Sequence, residues 1–242
     1  MKLHAVVLAA GKGTRMRSEL PKVLQPLGGK TLLQQSISAF LAIRAQQAAA
    51  LTVVVGHGAE SVKAALPDLD CNWVAQPQQL GTGHAVMQAL PIIDDEDLVL
   101  VLCGDVPLLT RQTLENLIAA AGPQSPALLT VDLADPTGYG RVLRDRHGHV
   151  AEIVEQKDGN AEQLRVSEIN TGIMAIPAAP LKKWLGSLSN DNAQGEYYLT
   201  DIIAMAVADG YPVAAVAAMN PEEVAGVNDK LQLAASERAL QQ

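Results

Sequence analysis

No apolar run in this 242-residue sequence approaches the ~20 residues needed to cross a bilayer. A secretory leader is not expected either: the apolar stretch from Ala5 to Ala10 follows a single Lys2 and is too short for such a core. Cysteine is scarce. Cys71 and Cys103 lie far apart and match no metal or redox spacing, so they read as buried free thiols in a reducing cytoplasm. There is no repeat of 20–50 residues and no low-complexity linker. Excess positive charge is lacking too, and the net charge of −8 argues against nucleic acid as the main partner.

What is present is a globular composition, 48% hydrophobic and 18% charged, and enough length for one large domain or two small ones. The charge is uneven. Residues 1–59 hold seven Lys and Arg against the single acid Glu19, a net +6, which leaves −14 for the rest. Four of those cations, Lys12, Arg15, Arg17 and Lys22, fall in or beside one glycine loop. That reads as a basic mouth on an acidic body, suited to a small polyanion and not to a membrane surface.

Apolar blocks at Leu3–Ala10, Leu51–Val55, Asn72–Gln76, Leu98–Cys103 and Ala127–Leu133 read as strands. Segments of helical period lie between them at Leu32–Ile43, Ala59–Leu66, His84–Leu90 and Arg111–Ala121, the last with Thr110 as N-cap and Gly122–Pro123 as stop. This alternation predicts an α/β fold, Rossmann-like and doubly wound, around a mixed but mainly parallel sheet. After about residue 135 the pattern changes. A hairpin turning near His147–Gly148 predicts an antiparallel insertion, followed by a strand at Ile169–Ile176 and helices near Leu181–Leu188, Tyr197–Ala208 and Asp229–Gln242. The expected organisation is one domain: a nucleotide-binding half (1–134), a sugar-binding half (135–228) and a C-terminal helix (229–242).

Open α/β sheets bind ligands at the carboxyl ends of their strands. The first strand ends at Ala9–Ala10 and is followed by Gly11-Lys12-Gly13, where small residues let backbone N–H groups approach phosphate oxygens. The dinucleotide fingerprint fails because Met16 stands where its third glycine belongs, and no acid follows ~20 residues on to take a ribose. The P-loop pattern fails as well, for no Gly-Lys-Ser/Thr closes the loop. What remains is Gly-Lys-Gly-Thr-Arg-Met and then Leu20-Pro21-Lys22. Arg15 offers a planar fork for phosphate and Lys22 a compact charge, a pairing suited to a triphosphate whose β- and γ-groups leave.

The stretch "LAAGKGTRM…LPKVL", Leu8 to Leu24, resembles the signature of the sugar-phosphate nucleotidyltransferases. Within that family the resemblance is to the N-acetylglucosamine-1-phosphate uridyltransferase half of bacterial enzymes whose other half is a glucosamine-1-phosphate acetyltransferase. Further blocks run in order to about Glu237: "VVGHGAE", "QLGTGHAV", "GDVPLL", "DPTGYGRV", "EINTGI", "DNAQGEYYLTDII" and "GVNDKLQL". The resemblance implies a cytoplasmic enzyme that uses UTP, N-acetylglucosamine 1-phosphate and Mg²⁺ to make a cell-wall precursor. The hexapeptide repeats of the acetyltransferase do not appear, so no acetyl-CoA activity is expected. The chain is then either cut at a domain boundary or a single-function enzyme, and a monomer or weak homo-oligomer is expected without the trimerising half.

Asp105 ends the most apolar strand, where a hard cation would answer the cost of a lone carboxylate. The resemblance implies Asn228 as its partner ligand, although Asn228 alone reads as an N-cap for the last helix. It also implies that Leu8, Ala9, Ala10, Gly11, Gly13 and Lys22 line the nucleotide. Gln76, Gly81 and Thr82 would read uracil, with Gln76 supplying both donor and acceptor. Cys103 and Gly104 flank Asp105, Cys103 standing where close relatives carry Tyr. Gly140, Glu155 and Asn170 correspond to positions that contact the N-acetylhexosamine, and Gln156 replaces a basic residue.

The expected reaction is in-line attack of the sugar 1-phosphate oxygen on the α-phosphorus of UTP, with Arg15 and Lys22 as the catalytic cations. Transferases using another nucleotide or sugar share the fold and remain alternatives. So does a non-catalytic sugar-nucleotide sensor, which would have no need of Asp105, Arg15 and Lys22 together.

Overall fold

The structure is a computed structural model that describes residues 1–241. The described residues form eleven strands, with helices between most of them: β1 (Leu3–Ala9), β2 (Pro26–Leu27), β3 (Lys30–Thr31), β4 (Ala49–Val55), β5 (Asn72–Ala75), β6 (Leu98–Cys103), β7 (Ala127–Asp132), β8 (Arg141–Arg144), β9 (Val150–Val154), β10 (Glu168–Pro177) and β11 (Ala214–Ala217). A nine-stranded sheet takes the order β11-β7-β10-β6-β1-β4-β5, with β8 and β9 branching from β10. β1 pairs in parallel with both β4 and β6, β4 with β5, and β11 with β7. Within that order only β10 runs against its neighbours, and the β8–β9 hairpin supplies the antiparallel insertion. This is the Rossmann-like, mixed and mainly parallel sheet expected of the sequence.

Strands covered on both faces need apolar residues at every position. Alternate side chains of β1, β4 and β6 accordingly feed two cores. Val7, Val53 and Leu100 pack with Phe40, Val62 and Leu114 beneath one layer of helices. Val6, Val54 and Val101 pack with Val86, Trp184 and Ile202 beneath the other.

Most segments match their sequence reading to within a few residues, and Thr110 caps its helix by accepting from the Thr113 amide, but some segments differ. The helix expected at Leu32–Ile43 is two, Leu32–Ser36 and Ser38–Arg44. Ser36 and Ser38 flank the break and donate their hydroxyls back to Leu32 O and Gln35 O, which bends helices. The helix expected from Tyr197 begins at Asp201. Residues 197–199 instead form an extended strap, where Tyr197 N donates to Leu80 O (2.8 Å) and Gly83 N to Tyr197 O (2.8 Å). The β2–β3 hairpin and the edge strand β11 are absent from the sequence reading: β2 and β3 are only two residues each, and the apolar run around β11 is mostly alanine, a weak strand former. One more difference bears on the site: Asp229, not Asn228, caps the last helix, Lys230–Leu240, by accepting from the Gln232 amide (2.9 Å).

Candidate functional site

From β1 the chain moves outward through β4 and β5, then returns to the other side of β1 as β6. Such a reversal leaves a crevice at the carboxyl ends of the two central strands. The Gly11 loop leaves β1 there, and Asp105 leaves β6. Gly104 N extends the ladder by donating to Leu8 O (3.0 Å), and a Cβ on Gly104 would lie 3.0 Å from that same oxygen. Gly104 therefore lets β6 close against β1 and holds Asp105 at the crevice.

A cavity of about 290 Å³ fills the crevice. It is lined by Leu8, Ala9, Ala10 and Gly11 from the end of β1, by Gln76, Gly81 and Thr82, and by Lys22, Cys103 and Asp105. Gly13 takes a left-handed conformation (φ 59°), and a Cβ there would fall 2.5 Å from the Lys22 Cβ. The loop glycine thus makes room for Lys22. Gly11 is not in that conformation, and its Cα faces open space.

At the mouth the Lys22 ammonium donates to the Asp105 carboxylate and also to Asn228 Oδ1 (3.3 Å). Arg15 Nη2 donates to the same Asn228 oxygen (2.9 Å). The Asn228 segment is tied to β6 by Val227 N donating to Asp105 O (2.8 Å). Residues separated by more than 200 positions are thereby held around one small volume. Because Asp229 does the capping, the Asn228 amide oxygen is left to face the two cations. Arg15 and Arg17 also line a wider open groove alongside, with Asp229 and Lys230. The basic mouth is narrower than the charge count suggests, since Arg44 is spent on Asp70.

Asp105 and Asn228 offer one carboxylate and one amide oxygen to a single cation, the Lys22 ammonium. Mg²⁺ takes one or two protein oxygens and completes its octahedron with water and phosphate, so this donor set fits it. Among the described residues no third His, Cys, Asp or Glu joins to make an all-protein cage.

Gln76, buried at 3% exposure, donates its amide nitrogen to Gly81 O (3.1 Å), and that nitrogen also lies 3.1 Å from His84 Nδ1. Gly81 (φ 108°) and Gly83 also admit the strap: a Cβ on Gly81 would lie 2.6 Å from Tyr197 O, and one on Gly83 2.9 Å. Thr82 Oγ1 accepts from Leu199 N (3.2 Å) and keeps its own proton to give.

Gly140, Glu155 and Asn170 come together beside this cavity. Asn170 N donates to Gly140 O (2.9 Å), and Glu155 Oε1 lies 3.4 Å from a Cβ placed on Gly140. A register shift in β10 after Asn170 frees the chain locally, and Asn170 Oδ1 accepts from Gly172 N (3.2 Å). Cys103 Sγ reaches Thr171 O (3.9 Å), which joins the two regions. Burial pushes the Cys103 thiol up to about 12 and, with help from Asp201, Asp158 and Glu196, holds the Glu155 carboxyl above its ordinary value. Sequence reasoning missed Gln79 and Glu196 on the cavity wall, and Thr200, which donates to Glu155 Oε1 (2.9 Å). All three lie inside blocks that had been singled out, but nothing in their type marked them.

The profile of the MobA-like NTP transferase domain matches residues 5–170. The chain belongs to that family. As a nucleotidyltransferase domain it is 57% identical over 239 residues to the bifunctional protein GlmU of Alkalilimnicola ehrlichii, covering 99% of this chain and 51% of that one. It is 54% identical over 241 residues to the GlmU of Methylococcus capsulatus, covering 100% and 52%. The chain thus spans about half the length of the curated relatives it matches. Two solved structures share the fold. One is a nucleotidyl transferase from Methanothermobacter thermautotroptrophicus (TM-score 0.70, 23% identity, covering 99% of this chain and 98% of that one). The other is a UDP-glucose pyrophosphorylase complexed with UDP-glucose (TM-score 0.75, 18% identity, covering 100% and 99%). Among the described residues no helix is long and apolar enough to cross a membrane.

Proposed function

We propose that this nucleotidyltransferase transfers the uridylyl group of UTP to N-acetylglucosamine 1-phosphate, releasing pyrophosphate and forming UDP-N-acetylglucosamine in the cytoplasm for cell-wall synthesis. The observation that carries the reading is the meeting of Arg15, Lys22, Asp105 and Asn228 at the mouth of one cavity, with Gly140, Glu155 and Asn170 beside it.

The base lies against Gly81, Thr82 and the Gln76 amide, and the phosphates follow the Gly11 loop toward the cations. The sugar sits against Gly140, Glu155 and Asn170, which turns its 1-phosphate back toward the same point. An oxygen of that phosphate forms the new bond to the α-phosphorus as the bond to pyrophosphate breaks. The attacking group is already an anion, so no protein nucleophile or base is needed. What the chain supplies is alignment and positive charge. Lys22 delivers its charge to the phosphate lying against Asp105. Arg15, further out on Asn228, meets the charge that grows on the departing pyrophosphate. Asp105 and Asn228 are the residues that would hold Mg²⁺, which supplies charge neutralisation between the reacting phosphates.

The test is pyrophosphate release with UTP, dTTP, CTP and GTP, each crossed with glucose, glucosamine and N-acetylglucosamine 1-phosphates in Mg²⁺. Selective turnover of UTP with N-acetylglucosamine 1-phosphate is expected. A preference for another pair would reassign the base or sugar contacts, and no release with any pair would make the chain a sensor. In size the domain is expected to run as a monomer or weak homo-oligomer.

A further inference from the structure

We propose that Arg141 and Gln156, neither of which lines the cavity, clamp the turn that carries Gly140 and thereby set the affinity for the sugar phosphate. The inference rests on the sugar-site reading above.

Arg141 is buried, with 2% of its surface exposed. Its guanidinium donates to Tyr139 O and to Gln156 Oε1 (2.9 Å), yet no carboxylate pairs with it among the described residues. Its Nε is a buried side-chain nitrogen with no partner there. A buried cation with no carboxylate in ion-pair contact is unfavourable, and an apolar side chain of similar size would often be more stable. The reason for a cation here therefore lies in what its two bonds hold. Both hold the same turn. Gln156 Oε1 also accepts from Gly138 N (3.0 Å), so one amide oxygen ties residues 138 and 141 together across Gly140.

Glu155, the preceding residue, meets that turn too, its carboxylate 3.4 Å from a Cβ placed on Gly140. Gly140 O in turn receives Asn170 N. The pair Glu155–Gln156 thus contacts the turn with a candidate sugar ligand on one residue and a fastening on the next. Slack in that fastening would change the spacing between the Gly140 amide and the Glu155 carboxylate without touching Arg15, Lys22 or the base. A protonated side chain at position 156 could not accept these bonds and would set a second cation beside Arg141. Gln156 accepts both.

The test compares steady-state constants of Gln156→Leu, Gln156→Glu and a Glu155→Ala control with those of the wild-type chain. In Gln156→Leu the KM for N-acetylglucosamine 1-phosphate should rise about tenfold, with kcat and the KM for UTP within twofold. Gln156→Glu keeps an acceptor at the same reach and gives Arg141 a counter-charge, so its sugar-phosphate KM should stay within twofold while its Tm rises. A Gln156→Leu protein with an unchanged sugar-phosphate KM, or with both KM values raised alike, overturns the clamp. If that variant does not fold, Gln156→Glu decides alone: a tenfold rise in its sugar-phosphate KM or a lowered Tm overturns the proposal. The control separates the two levels. Should Glu155→Ala leave the sugar-phosphate KM untouched, the sugar-site reading has failed and the clamp falls with it. Should the control raise that KM while Gln156→Leu does not, only the clamp has failed.

Discussion

Replacing Gly81 by Ala should separate the strap from the Gly81 turn. Gly81 sits at φ 108° and ψ 174°, a backbone region open in practice only to glycine, which costs an L-residue about 1–3 kcal/mol. Its new Cβ would also lie 2.6 Å from Tyr197 O and 2.9 Å from Tyr197 N, both far inside contact distance. The strap must then retreat, and two hydrogen bonds go with it: Tyr197 N to Leu80 O and Gly83 N to Tyr197 O. At ~1 kcal/mol each, and added to the backbone strain, they bring the loss to about 3–5 kcal/mol. For a domain of this size that corresponds to a fall in Tm on the order of 10 °C. Calorimetry gives the Tm, and hydrogen exchange shows where the loss lies. The amides of Tyr197 and Gly83 should exchange much faster in the variant while those of β1 and β6 stay protected. Because the strap ends at Thr200, which holds Glu155, weaker binding of both substrates should follow. A Tm within 2 °C of wild type, with Tyr197 and Gly83 still protected, would refute the close-approach argument.

Arg15→Ala should lower kcat by about 10²-fold or more while the affinity for UDP changes little, because the charge it meets develops only as pyrophosphate leaves. Equal losses in turnover and in nucleotide binding would reduce Arg15 to a binding group. Glu155→Gln should raise the Tm at pH 8, because burial opposes the ionised carboxylate. The sign follows from linkage: a carboxyl whose folded pKa is raised favours the fold below its unfolded pKa, and that contribution is lost as the pH climbs through the folded value. The variant's advantage should therefore shrink as the pH falls through the ordinary glutamate range, and an advantage independent of pH would point to packing instead.

The central sheet could be read from the sequence because strands covered on both faces must be apolar throughout, as Leu98–Cys103 is. The place of the Gly11 loop and Lys22 at the carboxyl end of β1 was legible for a similar reason, since the glycines follow directly on a buried strand. Other features depend on contacts that no local pattern records. The extended start of residues 197–199 is set by Leu80, Thr82 and Gly83 from another part of the chain. Ala214–Ala217 forms a strand only because the edge of β7 is there to receive it. Asn228 has the composition of a helix cap, and its neighbour Asp229 takes that role; the contacts with Arg15 and Lys22 emerge only once the chain is folded.

The account stands most directly on Asp105 and Asn228 sharing one divalent cation, and the Mg²⁺ dependence of turnover in Asn228→Ala tests it. With both substrates saturating, the half-saturating Mg²⁺ concentration should rise about tenfold or more in the variant, the scale on which a lost ligand contact acts. A variant with reduced turnover and an unaltered Mg²⁺ curve would contradict it.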